Sequence, residues 1–142
     1  LVAVIETMAF ERSERKDGLE RFLDELVIRH IRKSMGYQLS GGERRRVEIT
    51  RALVTDPRFM LLDEPFAGID PLAVQDLQDI VRKLRKRGLG ILITDHNVRE
   101  TLGICGRAYI MSEGETIAEG TPDLILENEQ VRDVYLGHHF KL

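Results

Sequence analysis

Two short apolar runs constrain this chain more than anything else in it. Phe59-Met60-Leu61-Leu62 ends in the acids Asp63-Glu64, and Gly90-Ile91-Leu92-Ile93-Thr94 ends in Asp95-His96-Asn97. Each is bounded by turn residues, and continuous apolarity over so few positions suits a strand buried on both faces of a parallel sheet. Between them, Asp70-Pro71 pairs a good N-cap with proline at the first helical position. Leu77, Ile80, Val81 and Leu84 then recur on one helical face, with Arg82, Lys83, Arg85 and Lys86 on the other, and Gly88 is the natural stop. Strand, amphipathic helix and strand make a crossover unit, and ligands of such sheets sit beyond the C-terminal strand ends. The acids and the histidine fall there.

The flanking sequence extends this α/β layout. Leu19, Phe22, Leu23, Leu26 and Val27 predict an amphipathic helix over Leu19–Ile31, followed by a non-periodic connector, Ser34–Gln38. Ser40 and Glu43 form a capping-box pattern, so a helix opens there and runs to about Val54, with Asp56-Pro57 closing it. Asn97, with Glu100 three residues on, can cap a short helix. Arg107–Ser112 and Glu115–Glu119 flank Glu113-Gly114 as a hairpin, and Thr121-Pro122 starts a final helical segment ending near Leu136-Gly137.

Composition closes several alternatives. With 42% hydrophobic residues the chain is too apolar for a disordered coil, and a net charge of −3 advertises no nucleic-acid partner. The basic stretches Arg44–Arg46 and Arg82–Arg87 read as solvated faces. Cys105 is the sole cysteine, which precludes an intrachain disulfide, fits a reducing compartment and reads as a small buried hydrophobe. Leu1–Ile5 is far too short to span a bilayer, and Leu1–Phe10 has no basic n-region, so it does not read as a secretory signal. The first residue is not Met, which suggests that the true start has been removed.

Several residues carry chemistry, each with a plainer alternative. Ser40-Gly41-Gly42 at a helix N-terminus offers unpaired N–H groups to an anion such as phosphate, or is an ordinary capped loop. Asp63 supplies a hard oxygen of the kind Mg²⁺ prefers, and Glu64 beside it can polarise a water; two acids also simply finish a strand. His96 could reach a ligand above the strand ends or be a solvated turn residue, and Asp70 could be no more than an N-cap.

The joint order of these segments narrows the reading. Leu39-Ser40-Gly41-Gly42-Glu43-Arg44-Arg45-Arg46-Val47-Glu48-Ile49, Phe59 to Pro65, Ala67-Gly68-Ile69-Asp70-Pro71 and Ile93-Thr94-Asp95-His96-Asn97 resemble the signature motif, Walker B strand, D-loop and switch histidine of the ATP-binding-cassette (ABC) ATPases. The resemblance implies a P-loop NTPase-like α/β cassette, with residues 1–38 in the helical subdomain and residues 39–142 in the C-terminal part of the ATPase core. It implies ATP and Mg²⁺ as ligands, Asp63 in the metal shell, Glu64 as general base and His96 on the γ-phosphate. Ser40, Gly41 and Gly42 would bind the γ-phosphate held by a second, head-to-tail cassette subunit, and Asp70 would work across the same interface. Transmembrane permease subunits would be the other partners, with the protein peripheral on the cytoplasmic face of the inner membrane. Arg99-Glu100-Thr101-Leu102 and Tyr135-Leu136-Gly137 look like the ATPases of lipopolysaccharide exporters. Branched-chain amino-acid importer ATPases are the nearest alternative. A non-transport ATPase acting on DNA or ribosomes, or a fragment that only dimerises or interacts, is the alternative of a different class.

A P-loop of the form G-x-x-x-x-G-K-[ST] does not occur in these residues. Gly36-Tyr37-Gln38-Leu39-Ser40-Gly41 has the glycine spacing, but Gly42-Glu43 follows where Lys-Ser/Thr is required. Nor is the family's Q-loop glutamine or its adenine-stacking strand identifiable, so the resemblance covers the C-terminal part of a cassette. Strands missing beside Phe59–Leu62 would leave an apolar edge unpaired. The isolated chain is therefore expected to be marginally stable, oligomeric or aggregation-prone; sedimentation showing a monodisperse monomer with a sharp two-state unfolding transition would contradict this.

Overall fold

A computed structural model describes residues 12–133. The chain divides into two compact units, Leu1–Thr94 and Asp95–Leu142, and the expected boundary after residue 38 lies inside the first. The readings made of Leu1–Phe10 and of the helix end near Leu136-Gly137 fall outside the described residues.

The first unit opens with α1 (Arg12–Glu25), which starts earlier and stops earlier than the apolar periodicity predicts. The stop has a local cause. Val27 adopts a left-handed conformation with φ 55°, and the Ile28 N–H donates to the Leu23 carbonyl at 2.9 Å, which closes the helix end in a Schellman-type turn. That turn buries Leu26 and Ile28, at 2% and 1% exposure, while Val27 points out. Single 3₁₀ turns at Arg29–Ile31 and Gly36–Gln38 replace the expected helix tail and occupy most of the expected connector.

Helix α2 (Gly41–Leu53) begins where its capping box predicts, and helix α3 (Pro71–Lys86) begins after Asp70. Leu77, Ile80, Val81 and Leu84 are all buried, as their spacing requires. Burial of each such side chain favours folding by about 1.5–3 kcal/mol. Strands β1 (Phe59–Asp63) and β2 (Gly90–Thr94) pair in parallel, from Phe59↔Gly90 to Asp63↔Thr94, with α3 as the crossover.

One expectation fails. The strands are not buried on both faces: Met60 is 4% exposed, yet Phe59 and Leu61 are each 76% exposed and Leu92 is 57% exposed. Side chains alternate between the faces of a strand, so one face is covered and the other is bare among the described residues. Apolar composition on both sides prepares a strand for two layers, and only one layer is supplied by the residues described.

The second unit contains α4 (Val98–Leu102), the antiparallel hairpin β3 (Ala108–Ser112) and β4 (Glu115–Gly120), α5 (Pro122–Glu127) and the single turn α6 (Glu129–Val131). Glu113 and Gly114 both take positive φ, 51° and 84°, which the two-residue hairpin turn demands. Leu102, Ile110, Ile125 and Val131 form its core, with Cys105 only partly buried beside them. Asn97 stands at the N-cap of α4 without a side-chain capping bond, contrary to the Asn97/Glu100 pattern. Among the described residues no helix is long and apolar enough to cross a membrane.

Candidate functional site

In the first unit, the N-terminus of α2 is built by reciprocal bonds. The Glu43 N–H donates to Ser40 Oγ at 3.3 Å, and the Ser40 N–H donates to Glu43 Oε2 at 2.8 Å. His30 Nε2 lies 3.0 Å from the other Glu43 oxygen. The Ser40 amide and hydroxyl, then His30, hold the Glu43 carboxyl below its ordinary value of 4.5.

The two glycines after Ser40 have a packing role. A Cβ on Gly41 would lie 2.8 Å from Ile69 Cγ2, and one on Gly42 would lie 2.6 Å from the Ala73 Cβ, so both positions need a bare backbone. Gly42 is buried. The start of α2 is thereby pressed against the loop Gly68-Ile69 and the first turn of α3. Asp70 caps that turn, accepting the Ala73 N–H at 3.0 Å. The plainer readings of Ser40 and Asp70 as caps hold, and the same geometry sets two helix N-termini side by side.

At the strand ends, Asp63 is exposed and its Oδ1 accepts a hydrogen bond from Thr94 Oγ1. Thr94 was not singled out among the candidates, although two apolar runs of matched length paired in parallel would place it opposite Asp63. Glu64 is exposed and takes a left-handed backbone, φ 43°. For a non-glycine residue this costs on the order of 1–3 kcal/mol unless the surroundings fix it. Here the Glu64 N–H donates to the Thr94 carbonyl at 2.7 Å, and the Glu64 carbonyl accepts from the Ala67 N–H at 3.2 Å and from Arg45 Nη2 at 3.0 Å.

The arginine run on α2 is thus not simply a solvated face. Arg45 reaches Glu64, while Arg46 is ion-paired with Asp76 of α3 and only 15% exposed. No periodicity could have reported this, because both partners lie far along the chain. The Asp63 carboxylate is a hard oxygen donor at an exposed strand end and fits one protein ligand of Mg²⁺, which commonly takes only one or two carboxylates. Among the described residues no group of three or more His, Cys, Asp and Glu forms a metal cage.

In the second unit, His96 has a side chain 64% exposed. It sits in a turn shaped by Asp95, whose carboxylate is fully buried and accepts the Asn97 N–H at 2.7 Å. The preceding acid, more than Asn97, fixes the backbone that carries the histidine.

Residues 2–67 match the ABC transporter family, and residues 115–141 match a branched-chain amino acid ATP-binding cassette transporter family. All 142 residues align at 54% identity with the lipopolysaccharide export system ATP-binding protein LptB of Acidithiobacillus ferridurans, covering 59% of it. Along its whole length the chain is similar to ABC transporter ATP-binding proteins. The Escherichia coli K12 LptB is 59% identical over 129 residues, 91% of this chain and 54% of that protein. Among solved structures, the cassette CbiO1 of Clostridium perfringens, described as part of an ABC transporter complex, superposes with TM-score 0.81 at 29% identity. It is covered over 96% of this chain and 55% of its own. The chain thus spans between half and three fifths of the length of these relatives, and the α/β cassette class expected from sequence agrees with them.

The capping box makes an electrostatic prediction. Glu43 titrates lower in the folded state, so its contribution to stability is present above 4.5 and is lost as pH falls through the lowered value. Urea unfolding of wild type and Glu43→Gln between pH 7 and pH 3 should show a gap that narrows on acidification, and a gap that widens would contradict the assignment. Ser40→Ala should cost about 1 kcal/mol at neutral pH.

Proposed function

We propose that the intact protein is the ATP-binding and ATP-hydrolysing subunit of an ABC transporter, and that it drives lipopolysaccharide export from the inner membrane. The observation that carries this is the 54% identity to an LptB protein along the whole of this chain. The match of residues 115–141 to the branched-chain amino acid transporter family supports a second reading, an importer ATPase.

The residue roles are those that the resemblance to ABC ATPases implies, and the chemistry of each side chain is compatible with its role. Ser40, Gly41 and Gly42 open α2 beside the first turn of α3, and a helix N-terminus favours an anion; their partner is the γ-phosphate of a nucleotide held by a second, head-to-tail cassette. Asp70, at the head of α3, works across that interface. Asp63 would hold Mg²⁺, which would supply positive charge to offset that of the phosphates. Glu64 accepts the proton of the attacking water as general base. His96 contacts the γ-phosphate of the nucleotide bound by its own subunit. The other partners are transmembrane permease subunits, and the protein is peripheral on the cytoplasmic side of the inner membrane. No nucleic acid is needed.

The 142 residues contain no P-loop, so the chain alone neither binds ATP tightly nor hydrolyses it. The product of the complete reading frame should hydrolyse ATP in the presence of Mg²⁺, with Glu64→Gln reducing turnover by about 10²–10⁴-fold. Mg²⁺-dependent turnover by the 142-residue chain, abolished by Glu64→Gln, would overturn the first statement. Complementation of a strain depleted of its lipopolysaccharide-export ATPase decides the substrate; rescue of branched-chain amino-acid uptake instead would favour the importer.

A further inference from the structure

We propose that Arg45 is a positioning residue for Glu64, tying the backbone of the residue that acts on water to the helix that starts at Ser40-Gly41-Gly42. This rests on the reading of Glu64 as general base. The Glu64 φ of 43° is uncommon for a glutamate, and this conformation aims the side chain. Beyond the turn of its own loop, two fixtures pin it. One is the neighbouring strand, through the Glu64 N–H to the Thr94 carbonyl at 2.7 Å. The other is the Arg45 guanidinium, whose Nη2 donates to the Glu64 carbonyl at 3.0 Å.

Arg45 is itself held. Its Nη1 donates to Glu48 Oε2 at 2.9 Å, one helical turn on, and its side chain is only 31% exposed. A planar fork with one arm on a carboxylate and the other on a carbonyl has a fixed direction, which a flexible ammonium lacks. A displacement of α2 therefore moves the donor away from Glu64. The helix presented to one nucleotide would set the backbone of the base that serves another, and Arg45 would be the physical link between the two sites.

The test uses the product of the complete reading frame. Arg45→Met should lower kcat about tenfold, the worth of one charge-assisted hydrogen bond, with KM for ATP unchanged. Arg45→Lys should recover part of the loss, because an ammonium can still donate to the carbonyl. Glu48→Gln, which loosens the other arm of the fork, should lower kcat by a smaller factor, and it keeps the test open if Arg45→Met does not fold. In that same full-length product, amide exchange of Glu64 and Ala67 should speed up in Arg45→Met while the β3–β4 amides stay as they were. An unchanged kcat, a loss wholly in KM, or unchanged exchange at Glu64 and Ala67 would overturn the proposal. Undiminished turnover in Glu64→Gln would instead overturn the reading of Glu64 as base, so the two failures are distinguishable.

Discussion

The candidate site of the first unit depends on one close approach, that of Gly42 on α2 to Ala73 on α3. Two helix N-termini carry partial charges of the same sign, so bringing them together costs electrostatic energy that local contacts must offset. Here the offset comes from the Ser40–Glu43 box, from Asp70 capping Ala73, and from the ion pair of Arg46 with Asp76 one turn further along. Each end carries an acid in or before its first turn, which answers the dipole directly. The glycines remove the side chains that would otherwise hold the helices apart.

From that contact the rest of the arrangement follows. With the start of α2 fixed against α3, Arg45 faces the end of β1 and meets the Glu64 carbonyl. The parallel register brings Thr94 beside Asp63, so the metal-ligand candidate and the base candidate each rest on β2. The strained backbone of Glu64 is held from two elements at once, a pattern typical of residues whose side-chain direction matters.

Much of this was legible in the residues. Capping patterns at Ser40/Glu43 and Asp70-Pro71 report local bonds, and both helices begin where those patterns say. The i, i+3, i+4 spacing of Leu77, Ile80, Val81 and Leu84 reports a face, and that face is buried. Val27 was not legible, because a left-handed β-branched residue at a helix end is decided by the burial of Leu26 and Ile28 around it. The bare face of Phe59, Leu61 and Leu92 was missed for a related reason: strand composition reports the environment a strand is suited to, not whether the covering layer lies among the same residues. The roles of Arg45 and Arg46 were hidden because a run of arginines looks the same whether its members face water or a distant partner.

A double-mutant cycle between Gly42 and Ala73 tests the central contact most directly. In the product of the complete reading frame, Gly42→Ala should be destabilising by about 1–3 kcal/mol through overpacking. In the Ala73→Gly background most of that loss should vanish, giving a coupling of about 1 kcal/mol or more. If the two losses simply add, to within about 0.5 kcal/mol, the helix starts do not depend on this approach and the account built on it is wrong.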